Sequence, residues 1–305
     1  MLNTPILFLI FNRPDTTAQV FAKIREIQPK QLFIAADGPR ADRAGEAEKC
    51  ALAKQIVLDN IDWDCEVKTL FRTENLGCGV APAQAITWFF EQVEQGIILE
   101  DDCLPDLSFF TFCEELLNYY KDDDAVMHIS GNNFQLGKKI GDGSYYFSQQ
   151  PYCWGWATWR RVWVKFSYDL ADLDIFINEN PDINSFWKNT FINLREEKPQ
   201  DIWDFQYTYT IFKYHGMSII PNINLITNIG FNENATHTKG ALLYYYNQDF
   251  GYIRQIIHPT NKRINEMADK FDLETYYIQK ISIQTKIRYN VKRIKDNIKR
   301  ILMRL

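Results

Sequence analysis

The chain has 305 residues, with 34 basic and 39 acidic side chains and a net charge of -5. At 46% hydrophobic and 15% aromatic it can bury a large core and is not a disordered chain. The charge is unevenly placed: residues 286–305 hold eight basic residues and one acid, for +7, which leaves -12 on residues 1–285. An acidic body argues against a general nucleic-acid binder, which presents a basic face.

The apolar run Ile6–Phe11 is six residues long, far short of the roughly 20 that a membrane-spanning helix needs. The opening MLNTPILFLIF has no basic leader and no cleavage site, so no secretory signal is expected. Six cysteines lie far apart with no C-x-x-C. Reduced thiols in a cytosolic protein fit this better than a disulfide frame or a zinc site. In that setting the sequon Asn234-Ala235-Thr236 reads as coincidence.

In chain order, Pro5–Phe11 is a continuous apolar run, as expected of a strand buried on both faces. Pro14 then suits the first turn of a helix carrying Val20, Phe21, Ile24 and Ile27. Leu32–Ala36 reads as a second strand closed by the turn Asp37-Gly38-Pro39. Glu46–Leu58 is a helix, Cys65–Phe71 a strand, Asn75-Leu76-Gly77 a turn and Pro82–Val93 a third helix. Ile97–Leu99 is a buried strand ending in Glu100-Asp101-Asp102, followed by a helix over Leu107–Tyr120 and a strand over Ala125–Ser130. This alternation predicts an α/β fold with a mostly parallel sheet between helices. Later the pattern loosens: a Trp-rich segment Pro151–Trp163, a helix over Ile202–His215, short strands at Met217–Ile220 and Ile223–Thr227, and a Gly/Asn/Thr-rich loop over Asn228–Gly240.

Ligands of such sheets bind beyond the carboxyl ends of the strands. Four polar clusters fall there: Asn12-Arg13, Asp37-Gly38, Arg72 to Asn75, and Glu100-Asp101-Asp102. Successive carboxylates at a strand end can bind a divalent cation through oxygen. The plainer alternative is a solvated acidic turn. A cation would also let an acidic crevice accept a diphosphate. Neither G-x-x-x-x-G-K-[ST] nor G-x-G-x-x-G is present, which disfavours a P-loop or a dinucleotide fold.

The ordered set of motifs resembles glycosyltransferases of the GT-A fold, and most closely the N-acetylglucosaminyltransferase I type and its bacterial relatives. The matching pieces are PILFLIFNR (Pro5–Arg13), Ala36-Asp37-Gly38, Glu100-Asp101-Asp102 as a form of the D-x-D motif, and LPDLSFF (Leu104–Phe110). Trp154-Gly155-Trp156, Ile202-Trp203-Asp204 and Ile220–His237 complete the set, which spans about residues 5 to 240. The resemblance implies a GT-A (Rossmann-like) mixed sheet, a nucleotide-sugar donor such as UDP-GlcNAc, a divalent Mn2+ or Mg2+, and inversion at the anomeric carbon. It implies a metal role for Asp102, ribose and donor-sugar contacts for Asp101 and Glu100, and a uracil contact for Asp37. Asn12, Arg13, Gly38, Arg72 and Asn75 would line the nucleotide. Asp204 is the candidate base, with Asp201 as fallback, because the family's W-D-D is here Trp203-Asp204-Phe205. A helix-start carboxylate is the alternative for Asp204. His237 would reach the metal or diphosphate, or else be a surface residue. Trp154, Gly155 and Trp156 would contact acceptor or donor sugar, or else serve the core.

Ile287, Val291, Ile294, Ile298, Ile301 and Leu305 form one helical stripe flanked by basic residues. This suits a helix lying on an anionic bilayer; a dimer seam or a docked helix are the alternatives. The expected organisation is a catalytic domain over 1–270, with a nucleotide-sugar half (1–130) and an acceptor half (131–270), and a basic tail over 271–305. The expected protein is a glycosyltransferase at the cytoplasmic membrane face that extends a surface polysaccharide or glycolipid. A metal-dependent phosphohydrolase or nucleotidyltransferase, and a non-catalytic glycan-binding protein, are the competing readings.

Overall fold

The computed structural model describes residues 1–196, 201–230 and 251–278. His237, the sequon at Asn234 and the basic stretch 286–305 lie outside the described residues.

The chain opens with β1 (Ile6–Ile10), α1 (Pro14–Ile27), β2 (Gln31–Ala36), α2 (Glu46–Asp59), β3 (Glu66–Phe71), α3 (Gly77–Phe90) and β4 (Gln95–Glu100). It continues through β5 (Cys103–Pro105), α4 (Leu107–Tyr119), β6 (Val126–Ser130), β7 (Tyr145–Ser148), β8 (Trp156–Trp159) and α5 (Arg160–Trp163). The remainder is α6 (Leu173–Glu179), α7 (Ser185–Glu196), α8 (Asp204–Lys213), β9 (Met217–Pro221), β10 (Ile226–Asn228) and α9 (Glu266–Asp272), which runs into a single π-helical turn, Leu273–Tyr277.

Among the described residues eight strands form one sheet in the order β3-β2-β1-β4-β8-β6-β9-β7. The half from β3 to β4 is parallel, in register Ile6 with Leu32 and Ile97, and Gln31 with Glu66. β8 inserts antiparallel between β4 and β6, β9 runs parallel to β6 and β7 closes the edge antiparallel. The fold is thus a mixed α/β sheet in the Rossmann-like manner, parallel where the sequence alternates strand and helix. β1, β6 and β9 are buried at every position, which requires cover on both faces of the sheet. The main core joins both ends of the sheet, while α6, α7 and α8 close a second cluster around Trp187, Phe191 and Tyr209.

Two elements differ from the sequence reading. The Trp-rich segment contains a central strand, β8, with Trp156 fully buried. α3 starts at Gly77 rather than Pro82, and Pro82 sits inside it. The reason lies elsewhere in the chain: the N-cap residue Leu76 gives no side-chain cap, and carboxylates from remote segments take its place, as described below.

α9 and the turn after it dock on the body through two buried carboxyls held by neutral donors. Asp272 accepts from the Tyr152 hydroxyl (2.7 Å) and Gln135 Nε2 (2.7 Å). Asp269 accepts from the Ser148 hydroxyl (2.6 Å) and the Gln149 N–H (2.9 Å). Burial pushes Asp272 up to about 7 and Asp269 up to about 6, against the lowering effect of those hydrogen bonds. A carboxyl with a raised folded-state pKa favours folding below its unfolded value and loses that stability as pH rises through the folded value. For Asp272 the window runs from about 4 to about 7. Wild-type melting temperature should therefore fall across this window, and Asp272→Asn should flatten the fall. A scan of melting temperature against pH checks this, and parallel curves for the two proteins would refute it.

Candidate active site

The turns after β1, β2, β3 and β4 meet at one crevice of about 400 Å³. Its walls include Asn12, Arg13, Asp37, Arg72, Asn75, Glu100, Asp101 and Asp102, with Trp154 and Asp201 from the later half of the chain. Leu9, Ala35, Ala81 and Ala85 also line it, so small apolar groups from β1, β2 and α3 leave room between strands and helix.

The acidic triplet follows directly from β4. Asp101 and Asp102 are only 6% and 9% exposed. Asp101 accepts the Phe11 N–H (3.0 Å), and Arg13 Nη1 lies 2.5 Å from Asp102 Oδ2 and 3.6 Å from Asp101 Oδ1. Burial, then the neighbouring carboxylates, push Glu100 and Asp101 well above the usual carboxylate range, and Arg13 offsets only part of this. Asp204 is near enough to Glu100 to add to the crowding. The cluster therefore has more negative charge than its guanidinium neutralises.

That surplus fits a hard, oxygen-ligated cation. Among the described residues no group of three or more His, Cys, Asp or Glu side chains forms a metal cage. The donor set suits an ion that keeps waters and takes other oxygens from a bound diphosphate, as Mg2+ commonly does. Asp102 would have to exchange Arg13 for the ion. Gly230 leans on this carboxylate so closely that a Cβ there would collide with Asp102 Oδ2, and the Ile229 N–H bonds the Asp102 carbonyl (2.8 Å).

Asp37 has a different role from the one its position suggests. Its oxygens accept from the N–H groups of Gly38, Leu76 and Gly77 and from Asn75 Nδ2, all at 3.0–3.1 Å. These bonds fill the carboxylate and cap the start of α3. A uracil contact from Asp37 would have to share or exchange one of them. Gly38 is not a wall residue: a Cβ there would collide with the Glu74 backbone, and its N–H bonds the Glu74 carbonyl (3.2 Å). Asn75 is spent partly on Asp37 and on the Gly38 carbonyl (2.8 Å).

The aromatic trio divides. Trp154 lines the crevice. Trp156 is 0% exposed, stacked on His128 and Trp203, and belongs to the core. Gly155 has φ +67°, and a Cβ there would meet Ile226 at 2.5 Å, so its bareness admits a neighbouring strand and not a sugar. Neither residue can serve as the expected sugar contact. Asp204 opens α8, with Oδ1 3.1 Å from the Phe205 N–H. Asp201 lies on the crevice wall and bonds α3.

Arg40 escaped the sequence reading. It lines the crevice with its guanidinium 5.7 Å from the centre of the Phe11 ring. Glu46 fixes it through both oxygens, at 2.5 Å from Nη2 and 3.0 Å from Nε. The Arg40 hydrogen bond holds Glu46 far below its ordinary pKa, and Asn12 Nδ2 adds a third partner at 2.8 Å. The sequence carries no signal for it, because Glu46 is a usual first-turn acid and only the structure shows it buried.

No family model and no curated protein matches the chain. Among solved structures, S. aureus TarS 1-349 has 9% identity and a TM-score of 0.42 over 74% of this chain. The match spans 60% of that chain's length. UDP-glucose pyrophosphorylase complexed with UDP-glucose has 9% identity and a TM-score of 0.39, over 72% of this chain and 90% of that one. HddC from Yersinia pseudotuberculosis has 13% identity and a TM-score of 0.34, over 57% and 86%. The α/β assignment follows from the strand order itself.

Because Asp37 satisfies several helix-start N–H groups, Asp37→Ala should cost about 1–3 kcal/mol. Denaturant unfolding measures this. A loss below about 0.5 kcal/mol, within the range of an ordinary surface change, would show that the cap does not hold α3.

Proposed function

We propose that the protein is a metal-dependent, inverting glycosyltransferase that takes a sugar from a UDP-linked donor such as UDP-GlcNAc. Its acceptor would be a surface polysaccharide or glycolipid at the cytoplasmic face of a membrane. The observation that carries this reading is the crevice itself. Four strand ends and a carboxylate surplus converge there, beside an aromatic wall and the start of α8. A neutral glycan needs hydrogen-bond acceptors but brings no charge to offset crowded acids. A nucleotide diphosphate with its cation does.

The residues would divide as follows. Arg13 and Arg72 would supply positive charge to the nucleotide, and Arg40, paired with Glu46, would offer fixed N–H donors. Glu100 and Asp101, one or both carrying a proton, would offer polar contacts to ribose and donor sugar. Asp102 would hold the cation, which when bound offsets the diphosphate charge and eases departure of the nucleotide. His237, outside the described residues, would be a further ligand. Asp204 would accept the acceptor hydroxyl proton as its oxygen bonds the anomeric carbon. The bond to the diphosphate breaks on the opposite face, and its electron pair leaves with the nucleotide. Asp204 stands at the first turn of α8, close to Glu100. Trp154 would offer an aromatic surface to a sugar.

A thermal-shift panel of nucleotide sugars, with and without Mn2+, tests the reading. One UDP-sugar should stabilise the protein in a metal-dependent way, by about 2.7 kcal/mol at a hundredfold excess over Kd. Asp102→Ala should remove the effect. A shift indifferent to metal would sink the cation role, and release of pyrophosphate from a nucleoside triphosphate plus sugar phosphate would replace glycosyl by nucleotidyl transfer.

The basic stretch 286–305 would bring the enzyme to a lipid-linked acceptor. Each basic residue near an anionic surface contributes about 1 kcal/mol. Deletion of 286–305 should abolish sedimentation with phosphatidylglycerol vesicles and leave UDP binding unchanged; undiminished sedimentation would refute the tether.

A further inference from the structure

α3 begins in the crevice with no cap of its own, and two carboxylates from opposite parts of the chain complete it. Asp37 comes from the end of β2. The other is Asp201, more than a hundred residues away, whose Oδ1 accepts the Gly79 N–H at 3.1 Å. The Cys78 thiol donates to the Asp201 carbonyl at 3.0 Å. Gly77 makes the approach possible: its φ is +80°, and a Cβ there would stand 2.7 Å from Asp201 Oδ1. The next residues are anchored in turn. The Ile202 carbonyl accepts from the Tyr168 hydroxyl at 3.1 Å. Trp203 is 5% exposed, with its ring stacked 5.7 Å from that of Trp156. Its carbonyl receives the Tyr207 N–H as α8 begins.

We infer that Asp201 is a positioning residue, not a base. Its bond to the start of α3 sets where residues 201–204 lie, and so where Asp204 stands relative to Glu100, Asp101 and Asp102. Among the described residues, the bonds from Cys78 and Gly79 to Asp201 join the helix that walls the crevice to the segment that leads into α8. The inference rests on the reading of Asp204 as base. Asp201 Oδ1 already holds the Gly79 N–H, so proton acceptance there would fall to its other oxygen, and the variants below separate the two roles.

The two roles separate on conservative replacement. Asn keeps an oxygen that can accept the Gly79 N–H but cannot take a proton. The readout is UDP release from UDP-GlcNAc with Mn2+ and water as acceptor, together with amide hydrogen exchange over residues 77–81 and 201–207. Asp201→Asn should keep kcat within about fivefold and keep the Gly79 amide protected. Asp201→Ala and Gly77→Ala should each lower kcat at least tenfold, leave KM for the donor within about threefold, and expose that amide. Asp204→Asn should lose turnover with the Gly79 amide still protected. Loss of turnover in Asp201→Asn as severe as in Asp201→Ala, with the amide protected, would make Asp201 the base and overturn the inference. Full turnover in Asp201→Ala would also overturn it, since Asp201 would then be neither base nor positioning residue. If the wild type releases no UDP from any nucleotide sugar, the glycosyltransferase reading fails and the inference fails with it. The exchange data would still report whether the dock exists.

Discussion

The first turn of α3 is the constraint on which the site depends. Exposed N–H groups at a helix start need acceptors, and the local sequence Leu76-Gly77-Cys78-Gly79 provides none from side-chain oxygens. The chain supplies them from two distant places, Asp37 after β2 and Asp201 before α8. Capping is usually a local matter worth about 1 kcal/mol. Here it also welds the parallel half of the sheet to the segment that starts α8. The three glycine and small-residue features around it follow from that weld. Gly77 makes room for Asp201, Gly38 lets the β2 turn approach Glu74, and Ala81 and Ala85 keep the helix face low where the crevice passes.

A second constraint is electrostatic. Three guanidinium groups stand at the crevice, Arg13, Arg40 and Arg72, and the first two are used differently. Arg40 is locked by Glu46, which is buried and strongly acidic because of that pairing. Its charge is offset in place, and its planar group remains as a rigid donor beside Phe11. Arg13 instead faces Asp101 and Asp102, whose combined charge exceeds its own. Burial first, and then the carboxylate charge that Arg13 leaves over, raise the pKa of Glu100 and Asp101. A site that leaves carboxylates under-neutralised costs stability unless a positive ligand completes it, which is a common signature of function.

Much of the frame was legible because it depends on local pattern. β1, β2 and β6 are apolar runs of the length that two-sided burial requires, and the polar residues after them fall at strand ends whatever the tertiary detail. The four-cluster crevice followed from that alone. The start of α3 was not legible, since Pro82 looks like a helix opening and the true caps lie about 40 and 120 residues away. Trp156 and Gly155 misled for a different reason. A tryptophan beside a glycine has the same one-letter pattern in a sugar platform and in a buried strand. Only the insertion of β8 between β4 and β6 decides, because it places Trp156 between His128 and Trp203. Arg40 sat unremarked in a turn because its importance comes from Glu46, a residue that reads as an ordinary first-turn acid.

Trp154 shows why the segment after residue 251 belongs to the site. The ring is held edge-on by Phe134 at 5.5 Å and Tyr276 at 6.5 Å. Edge contacts of this kind fix an aromatic plane. Phe134 and Tyr276 stack on each other at 4.2 Å, and Tyr152 meets both. Tyr152 in turn donates to Asp272. So the plane that lines the crevice is supported by the π-helical turn after α9, and that turn is anchored by a buried carboxyl four residues before Tyr276. A change that loosens Asp272 would therefore reach Trp154 through Tyr152 and Tyr276 without touching the carboxylates at the end of β4. The carboxylate end of the crevice depends on strand ends and the start of α3. The aromatic end depends on the last described helix. Two separately stabilised supports meet at one opening, and the contact between Asp201 and α3 lies between them.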